Sequence, residues 1–149
     1  MSDRLVLDAS VVVKWFKEGE DHEGQALALR DRILELKVSA VSSEWLLLEV
    51  VRAMVRAEFP GEKVEGAYSA LREMVSLGFM ELVHVGEVLD GAKNVMMNLS
   101  LYASDAVYLA TAIHAGASLV AADRHLLRNA VRVYAGSKGV KVLSLEEIR

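Results

Sequence analysis

Four acidic residues of this chain lie in apolar stretches, where an ionised carboxylate is costly unless it is paired or bound to a metal ion. Two of them follow the short runs LVL and LVAA, and two lie in the segments WLLLEVV and SDAVYLA. In chain order, the four are Asp8, Glu49, Asp105 and Asp123. If their oxygens converge, a divalent cation would relieve their mutual repulsion. Oxygen ligands suit Mg²⁺ or Mn²⁺, which can activate a water and stabilise charge on a phosphoryl group.

Three of these acids also have an ordinary explanation as helix caps. Asp8 could cap the helix that follows it, Ser104 or Asp105 could be the N-cap of another helix, and Asp123 could cap a helix that begins near His125. Each explanation is reasonable for one residue taken alone. Together they are weaker, because separate caps would not all need apolar surroundings.

Glu49 has a different alternative, because a glutamate on a helix commonly pairs with a basic residue three or more positions further on. Arg52 and Arg56 both stand in that relation to Glu49. Other chemistries have less support. The four histidines share no metal-ligand spacing, Ser10 lacks the surroundings of a hydrolase nucleophile, and no glycine-rich phosphate loop is present.

Composition limits the class of protein. The chain has 149 residues, of which 53% are hydrophobic, which fits a single domain over residues 1–149. There is no cysteine, which excludes disulfides, thiolate metal sites and thiol catalysis. No apolar run is long enough to predict a membrane span, and we expect a cytoplasmic protein without a membrane partner. A net charge of −4 argues against binding of nucleic acid through the overall charge of the protein. Bound cations could still make the potential positive at one site.

The hydrophobic pattern predicts short strands alternating with helices, which is typical of an α/β fold with a central, mostly parallel sheet of about five strands. The predicted strands are 5–8, 38–41, 80–85, 118–121 and 140–143. The predicted helices cover 27–36, a stretch capped by Ser42 or Ser43 that runs through 45–55, then 62–77, 88–99, 103–115 and 125–131. Ligands bind beyond the carboxyl ends of parallel strands, where Asp8 and Asp123 are expected.

The acidic segments resemble the motifs of PIN domains, especially those of VapC-type toxin ribonucleases. LDASVVVKW at 7–15 is similar to the first motif, Glu49 with Arg52 to the helix-borne acid motif, SDAVYLA at 104–110 to the third, and LVAAD at 119–123 to the fourth. Order and spacing agree over about residues 4–143. The resemblance implies a single PIN-like domain in which a Mg²⁺- or Mn²⁺-dependent endoribonuclease site is formed by the four acids, with Ser10 supporting the first of them.

The resemblance also implies partners. They are an RNA substrate, for which Lys14, Arg52 and Arg124 are candidate contacts, a VapB-like antitoxin that covers the acids, and a second copy in a homodimer. Apolar stretches near Trp15, Trp45–Leu48 and Phe59 could supply protein contacts, although core packing explains such stretches equally.

One departure from the family pattern concerns the position two residues before the last acid, where Ala121 stands in place of the usual threonine. A hydroxyl that could orient a ligand is therefore missing, and an alternative is a catalytically weakened PIN fold that acts as a binding module. A haloacid-dehalogenase-like phosphatase is a third possibility, but it needs a second aspartate where this chain has Ser10.

Overall fold

The computed structural model describes residues 3–148, which form one five-stranded sheet flanked by helices. All strand pairs are parallel, and the order across the sheet is β3-β2-β1-β4-β5. The strands are β1 (Asp3–Leu7), β2 (Val38–Ser43), β3 (Met80–Val83), β4 (Ser118–Val120) and β5 (Val142–Leu143). The predicted α/β class and parallel sheet are therefore confirmed.

Within the described residues 3–148, seven α-helices connect and cover the strands. They are α1 (Ala9–Val12), α2 (Glu23–Leu34), α3 (Leu46–Arg56), α4 (Gly61–Ser76), α5 (Leu89–Leu99), α6 (Ala103–Ala115) and α7 (Asn129–Ser137). Short 3₁₀ turns cover residues 13–15, 85–88 and 145–147. Within residues 3–148, none of the helices has both the length and the apolar character needed to cross a bilayer.

The central strand β1 divides the core in two because successive side chains point to opposite faces of a sheet. Val6 packs with the apolar residues of α5, α6 and α7, whereas Leu5 and Leu7 pack with those of α1, α2, α3 and α4. Helix α6 is buried over most of its length, from Asp105 to Ala112. Because both faces of the sheet are covered, the central strands β1 and β4 carry consecutive buried apolar residues, Leu5–Leu7 and Leu119–Val120, rather than an alternating pattern.

The order of the strands creates a topological switch point between the neighbouring strands β1 and β4. From β1 the chain moves outward through β2 to β3, then crosses to the other side of β1 to form β4 and β5. Crevices at such switch points, beyond the carboxyl ends of the strands, are the usual ligand sites of open α/β sheets. Asp8 follows β1 directly, and its backbone N–H donates to the carbonyl of Val120 at the end of β4.

Two predicted helix limits are wrong. No helix covers 125–131, because a turn occupies 124–127 and α7 begins only at Asn129. The turn is held by side chains, since the guanidinium of Arg128 donates to the carbonyls of His125 and Leu99. The second error concerns the predicted helix 27–36. Helix α2 ends at Leu34, because Leu36 has a left-handed backbone (φ 61°) that cannot continue the helix.

The predicted cap of α3 is also wrong. The N-cap position is occupied by Trp45, which makes no side-chain capping bond. Ser42 is buried, and its hydroxyl donates to the carbonyl of Leu7 across the sheet. Ser43 accepts a hydrogen bond from the Trp45 N–H, so it stabilises the turn that leads into the helix. Neither serine caps α3: Ser42 links β2 to β1, and Ser43 stabilises the turn before the helix.

Candidate active site

Asp8 stands at the end of β1 and is both a helix cap and a buried acid. One of its oxygens, Oδ2, accepts hydrogen bonds from the backbone N–H and the hydroxyl of Ser10. The Ser10 oxygen in turn accepts from the N–H of Ala122, beyond β4, at 2.9 Å. Ser10 therefore ties the first acid to the segment that carries the last one. The capping explanation of Asp8 is correct, and it leaves Asp8 only 3% exposed at the switch point.

Asp105 is presented by α6, the most deeply buried helix. The N-cap of that helix is Tyr102, so the prediction that Ser104 or Asp105 caps it is wrong. Asp105 lies in the first turn, and its side chain is buried. Asp105 is the third residue of the helix, and its carboxyl interacts electrostatically with Asp123 and Glu49, which come from other elements.

Asp123 lies in the loop that leaves β4. Its Oδ1 accepts a hydrogen bond of 2.7 Å from the N–H of His125, which stabilises the turn but caps no helix, because α7 begins six residues later. The side chain is half-buried. The loop therefore fixes the backbone near Asp123 while the carboxylate remains accessible from one side.

Glu49 lies in the first turn of α3, on the opposite face of the sheet from α6. Within residues 3–148, no ion pair joins Glu49 to Arg52 or Arg56. The alternative that Glu49 pairs with an arginine of its own helix is therefore wrong. The Oε1 atom of Glu49 is buried and lacks a hydrogen-bond partner. An acid without a basic partner and with a buried free oxygen fits a ligand for a cation.

The acids influence one another electrostatically, so the structure brings their side chains toward one place. Burial, and to a smaller degree the charges of Asp105 and Asp123, raise the pKa of the Asp8 carboxyl to about 7 against the opposing effect of the Ser10 hydrogen bonds. Burial and the charge of Asp123 raise the pKa of Asp105 to about 6, with a smaller contribution from Glu49. Raised pKa values in a crevice are typical of functional carboxylates.

The donor set fits a hard divalent cation, since it contains only carboxylate oxygens and a hydroxyl. Among residues 3–148, no three acidic or histidine side chains stand at the spacing of a ready-made metal cage. Side-chain rotation would therefore have to bring Asp8, Asp105 and their neighbours onto the ion. The carboxylate that is costliest to ionise, Asp8, would gain most from that contact.

Basic side chains border the site on the α3 side. A cavity of about 230 Å³ is lined by Ser10, Glu49, Arg52 and Arg56, together with small apolar residues of α1 and α3. Arg124, beside Asp123, is exposed. Lys14 is buried, and its ammonium group donates to the carbonyl of Asp21 at 2.7 Å, so its availability for RNA is lower than that of the arginines.

Three further residues lie at this site that the sequence patterns did not indicate. Tyr108, one turn after Asp105 on α6, is almost fully buried beside the acids, and the i, i+3 spacing could have suggested it. Tyr102 and His125 form an edge-to-face pair with ring centroids 6.0 Å apart, and His125 acts electrostatically on Asp105. No local pattern joins Tyr102 to His125, because the fold alone brings them together.

Of the three apolar stretches offered as contact surfaces, only parts are available. Trp15 is buried, and its indole N–H donates to the carbonyl of Ala26, so this residue belongs to the core. Within Trp45–Leu48, Leu48 is 66% exposed. Phe59 is half-buried and lines a cavity of about 420 Å³ that also includes Phe16. Phe16 borders a second, more apolar cavity of about 320 Å³ between α2 and α4.

The carboxylate pKa values predict how stability changes with pH in metal-free protein. A carboxyl whose pKa is near 7 when folded and near 4 when unfolded binds more protons in the folded state between these pH values, so stability falls as pH rises through that interval. We expect the melting temperature in EDTA to decrease from pH 5 to pH 8. Asp8→Asn should remove most of the decrease. A melting temperature that rises over this interval in the wild type would contradict the burial of Asp8.

Comparison with known proteins gives the same fold. A family model described as the PIN domain matches residues 5–132. Among proteins with curated descriptions, none matches this sequence.

Three solved structures are similar to this chain. The first is a DNA-bound VapBC from Salmonella typhimurium (TM-score 0.64, 15% identity, covering 97% of this chain and 99% of that one). The second is VapBC2 from Rickettsia felis, bound to a DNA fragment from its promoter (TM-score 0.62, 16% identity, 95% and 98%). The third is FitAcB from Neisseria gonorrhoeae (TM-score 0.61, 17% identity, 97% and 99%). At these identities the likeness establishes the fold alone.

Proposed function

Because the chain belongs to the PIN-domain family, we propose that it is a Mg²⁺- or Mn²⁺-dependent endoribonuclease, the toxin of a VapBC-type toxin–antitoxin pair. The observation that carries this proposal is the electrostatic coupling of Asp8, Asp105, Asp123 and Glu49 beyond the carboxyl ends of β1 and β4. PIN domains are generally nucleases, and an acidic crevice at a switch point is where such chemistry belongs.

A bound divalent ion would supply Lewis-acid stabilisation of the phosphoryl oxygens and a water of lowered pKa. The acids of this chain would hold that ion, with Asp8 and Asp105 as the principal ligands. Glu49 would complete the site or orient the attacking water, and Asp123 would contribute when the substrate phosphate is present. Ser10 fixes one oxygen of Asp8, so the other is free to face the ion.

The direct test uses purified wild-type protein and end-labelled single-stranded RNA of mixed sequence. We expect cleavage with Mn²⁺ or Mg²⁺ and none in EDTA. Absence of cleavage of every RNA tried, together with no heat of specific Mn²⁺ binding in calorimetry, would favour the alternative of a weakened binding module. In that case Ala121, which is buried in the core and carries no hydroxyl, is the residue to revert to threonine.

Arg52 and Arg56 are expected to bind the RNA backbone. Both are exposed, lie on the same face of α3 and border the cavity next to Glu49. Replacing both by alanine should raise KM for RNA by about three- to tenfold with little change in kcat, because phosphate contacts act mainly through affinity. The control is Arg72→Ala, an exposed arginine of α4 that contacts Tyr68. An equal change in KM for the double variant and for the control would show that α3 does not contact the RNA.

We propose a VapB-like antitoxin as the protein partner. The structures of similar fold named above include VapBC complexes, and two cavities that share Phe16, of which the one between α2 and α4 is mainly apolar, offer a groove for a partner. A homodimer is also proposed, for which the exposed Leu48 and Val55 on α3 are candidate contacts. Light scattering of the purified chain tests the dimer, and inhibition of cleavage by a co-expressed partner tests the antitoxin.

A further inference from the structure

Two buried side-chain oxygens without a hydrogen-bond partner occur in residues 3–148, and both belong to the candidate active site. They are Oε1 of Glu49 and the hydroxyl of Tyr108. Buried polar atoms are nearly always hydrogen-bonded, and each exception calls for a functional or structural reason. An unpaired acceptor and an unpaired donor next to the same acids are complementary.

Tyr108 is placed for this role by the helix that carries Asp105. The spacing of three residues puts both side chains on the same face of α6. The ring is anchored in the core between α6 and the sheet, and the residue is only 1% exposed. Its hydroxyl lies within electrostatic reach of Asp8, Glu49 and Asp105, and the Glu49 side chain is near it although no hydrogen bond joins the two groups.

We propose that Tyr108 is a positioning residue, whose hydroxyl donates a hydrogen bond to Oε1 of Glu49 and so directs Oε2 of Glu49 toward the metal ion. The proposal rests on the function proposed above, because it assigns a geometry to one ligand of that site. Because the ring is buried in the core, the Glu49 carboxylate, and not the tyrosine, would move to form the bond. Burial and the surrounding carboxylates raise the pKa of the Tyr108 hydroxyl, which keeps it protonated as a donor.

The role is specific to the hydroxyl, because the ring serves packing. Hydrogen-bond partners behind metal ligands typically contribute 10- to 100-fold in metal affinity or activity. A purely structural tyrosine would instead contribute to stability in metal-free protein. These two roles predict opposite results for a change that removes the oxygen and keeps the ring.

The test is Tyr108→Phe in the full chain, with Mn²⁺ as the probe. By titration calorimetry we expect the Mn²⁺ Kd to increase about 10- to 100-fold. The melting temperature in EDTA should stay the same or rise, since an unpaired buried hydroxyl is removed. Tyr134→Phe on α7 is the matched control and should change neither quantity. An unchanged Mn²⁺ affinity, or a lower melting temperature in EDTA, would overturn the proposal.

A double-mutant comparison identifies Glu49 as the residue through which Tyr108 acts. In a Glu49→Gln background, Tyr108→Phe should cause no further loss of Mn²⁺-induced thermal stabilisation, whereas in an Asp123→Asn background the loss should persist. The same loss in both backgrounds would overturn the assignment to Glu49. Wild-type protein that binds Mn²⁺ but cuts no RNA would refute the nuclease and leave this proposal standing. Wild-type protein that binds no Mn²⁺ would refute both.

Discussion

Asp8→Asn is expected to reduce RNA cleavage by about 10³-fold or more while the folded protein is retained. The amide keeps an oxygen that can accept from the Ser10 N–H and hydroxyl, so the cap of α1 survives. It removes the charge that would hold the ion, and with it the cost of ionising a group that is buried beyond the end of β1. At pH 8 the variant should therefore melt at a higher temperature than wild-type protein without metal.

Cleavage rates and circular dichroism of the same preparation check this result. The control is Asp31→Asn, which changes an exposed acid of α2 that pairs with its neighbour Arg30. That change should leave both rate and melting temperature near the wild-type values. If Asp8→Asn cuts RNA at the wild-type rate, Asp8 holds no catalytic ion and the proposed function loses its central residue.

Mn²⁺ is expected to raise the melting temperature of the wild type by about 5–10 °C at pH 8 when it is present at about 100 times its Kd. The gain has a clear source, because the ion favours the ionised forms of Asp8 and Asp105, whose pKa values are raised to about 7 and about 6. At pH 5.5 both groups hold protons that the ion must displace, so the shift should be much smaller.

Differential scanning fluorimetry at the two pH values, with ionic strength matched by sodium chloride, measures this effect. The Asp8→Asn protein should show little or no shift at either pH. A shift of the same size at pH 5.5, or in the variant, would place the ion elsewhere on the chain. No shift in the wild-type protein at either pH, together with no RNA cleavage, would instead support a binding module.

The sequence predicts the sheet well because the strand signal depends on burial. A strand that is covered on both faces favours apolar residues at consecutive positions, and the runs before Asp8 and Asp123 have this property. The limits of α6 were also predictable, since Gly116 adopts the left-handed conformation that ends a helix without strain. In these cases each local preference agrees with the tertiary structure.

The errors arose where distant residues determine the local structure. The segment after Asp123 has a helical pattern, but Arg128 holds it as a turn by bonding to the end of α5. Ser42 looks like a helix cap, yet its hydroxyl bonds to Leu7, 35 positions earlier in the chain. Tyr108 belongs to the SDAVYLA motif, but no local pattern indicates a role for it, because Glu49 and Tyr108 come close to each other only in the folded protein.

The order of the strands has a consequence for synthesis of the protein on the ribosome. The four acids come from segments spread over residues 8 to 123, and β4 adds to the sheet beside β1 only after β2 and β3 have been made. A nascent chain that has not yet exposed Asp123 and the N–H of Ala122 therefore lacks both the last acid and the contact that braces Ser10. If the chain is the ribonuclease proposed above, its site therefore stays incomplete, and the nearby messenger is spared, until the segment that carries Ala122 and Asp123 has left the ribosome.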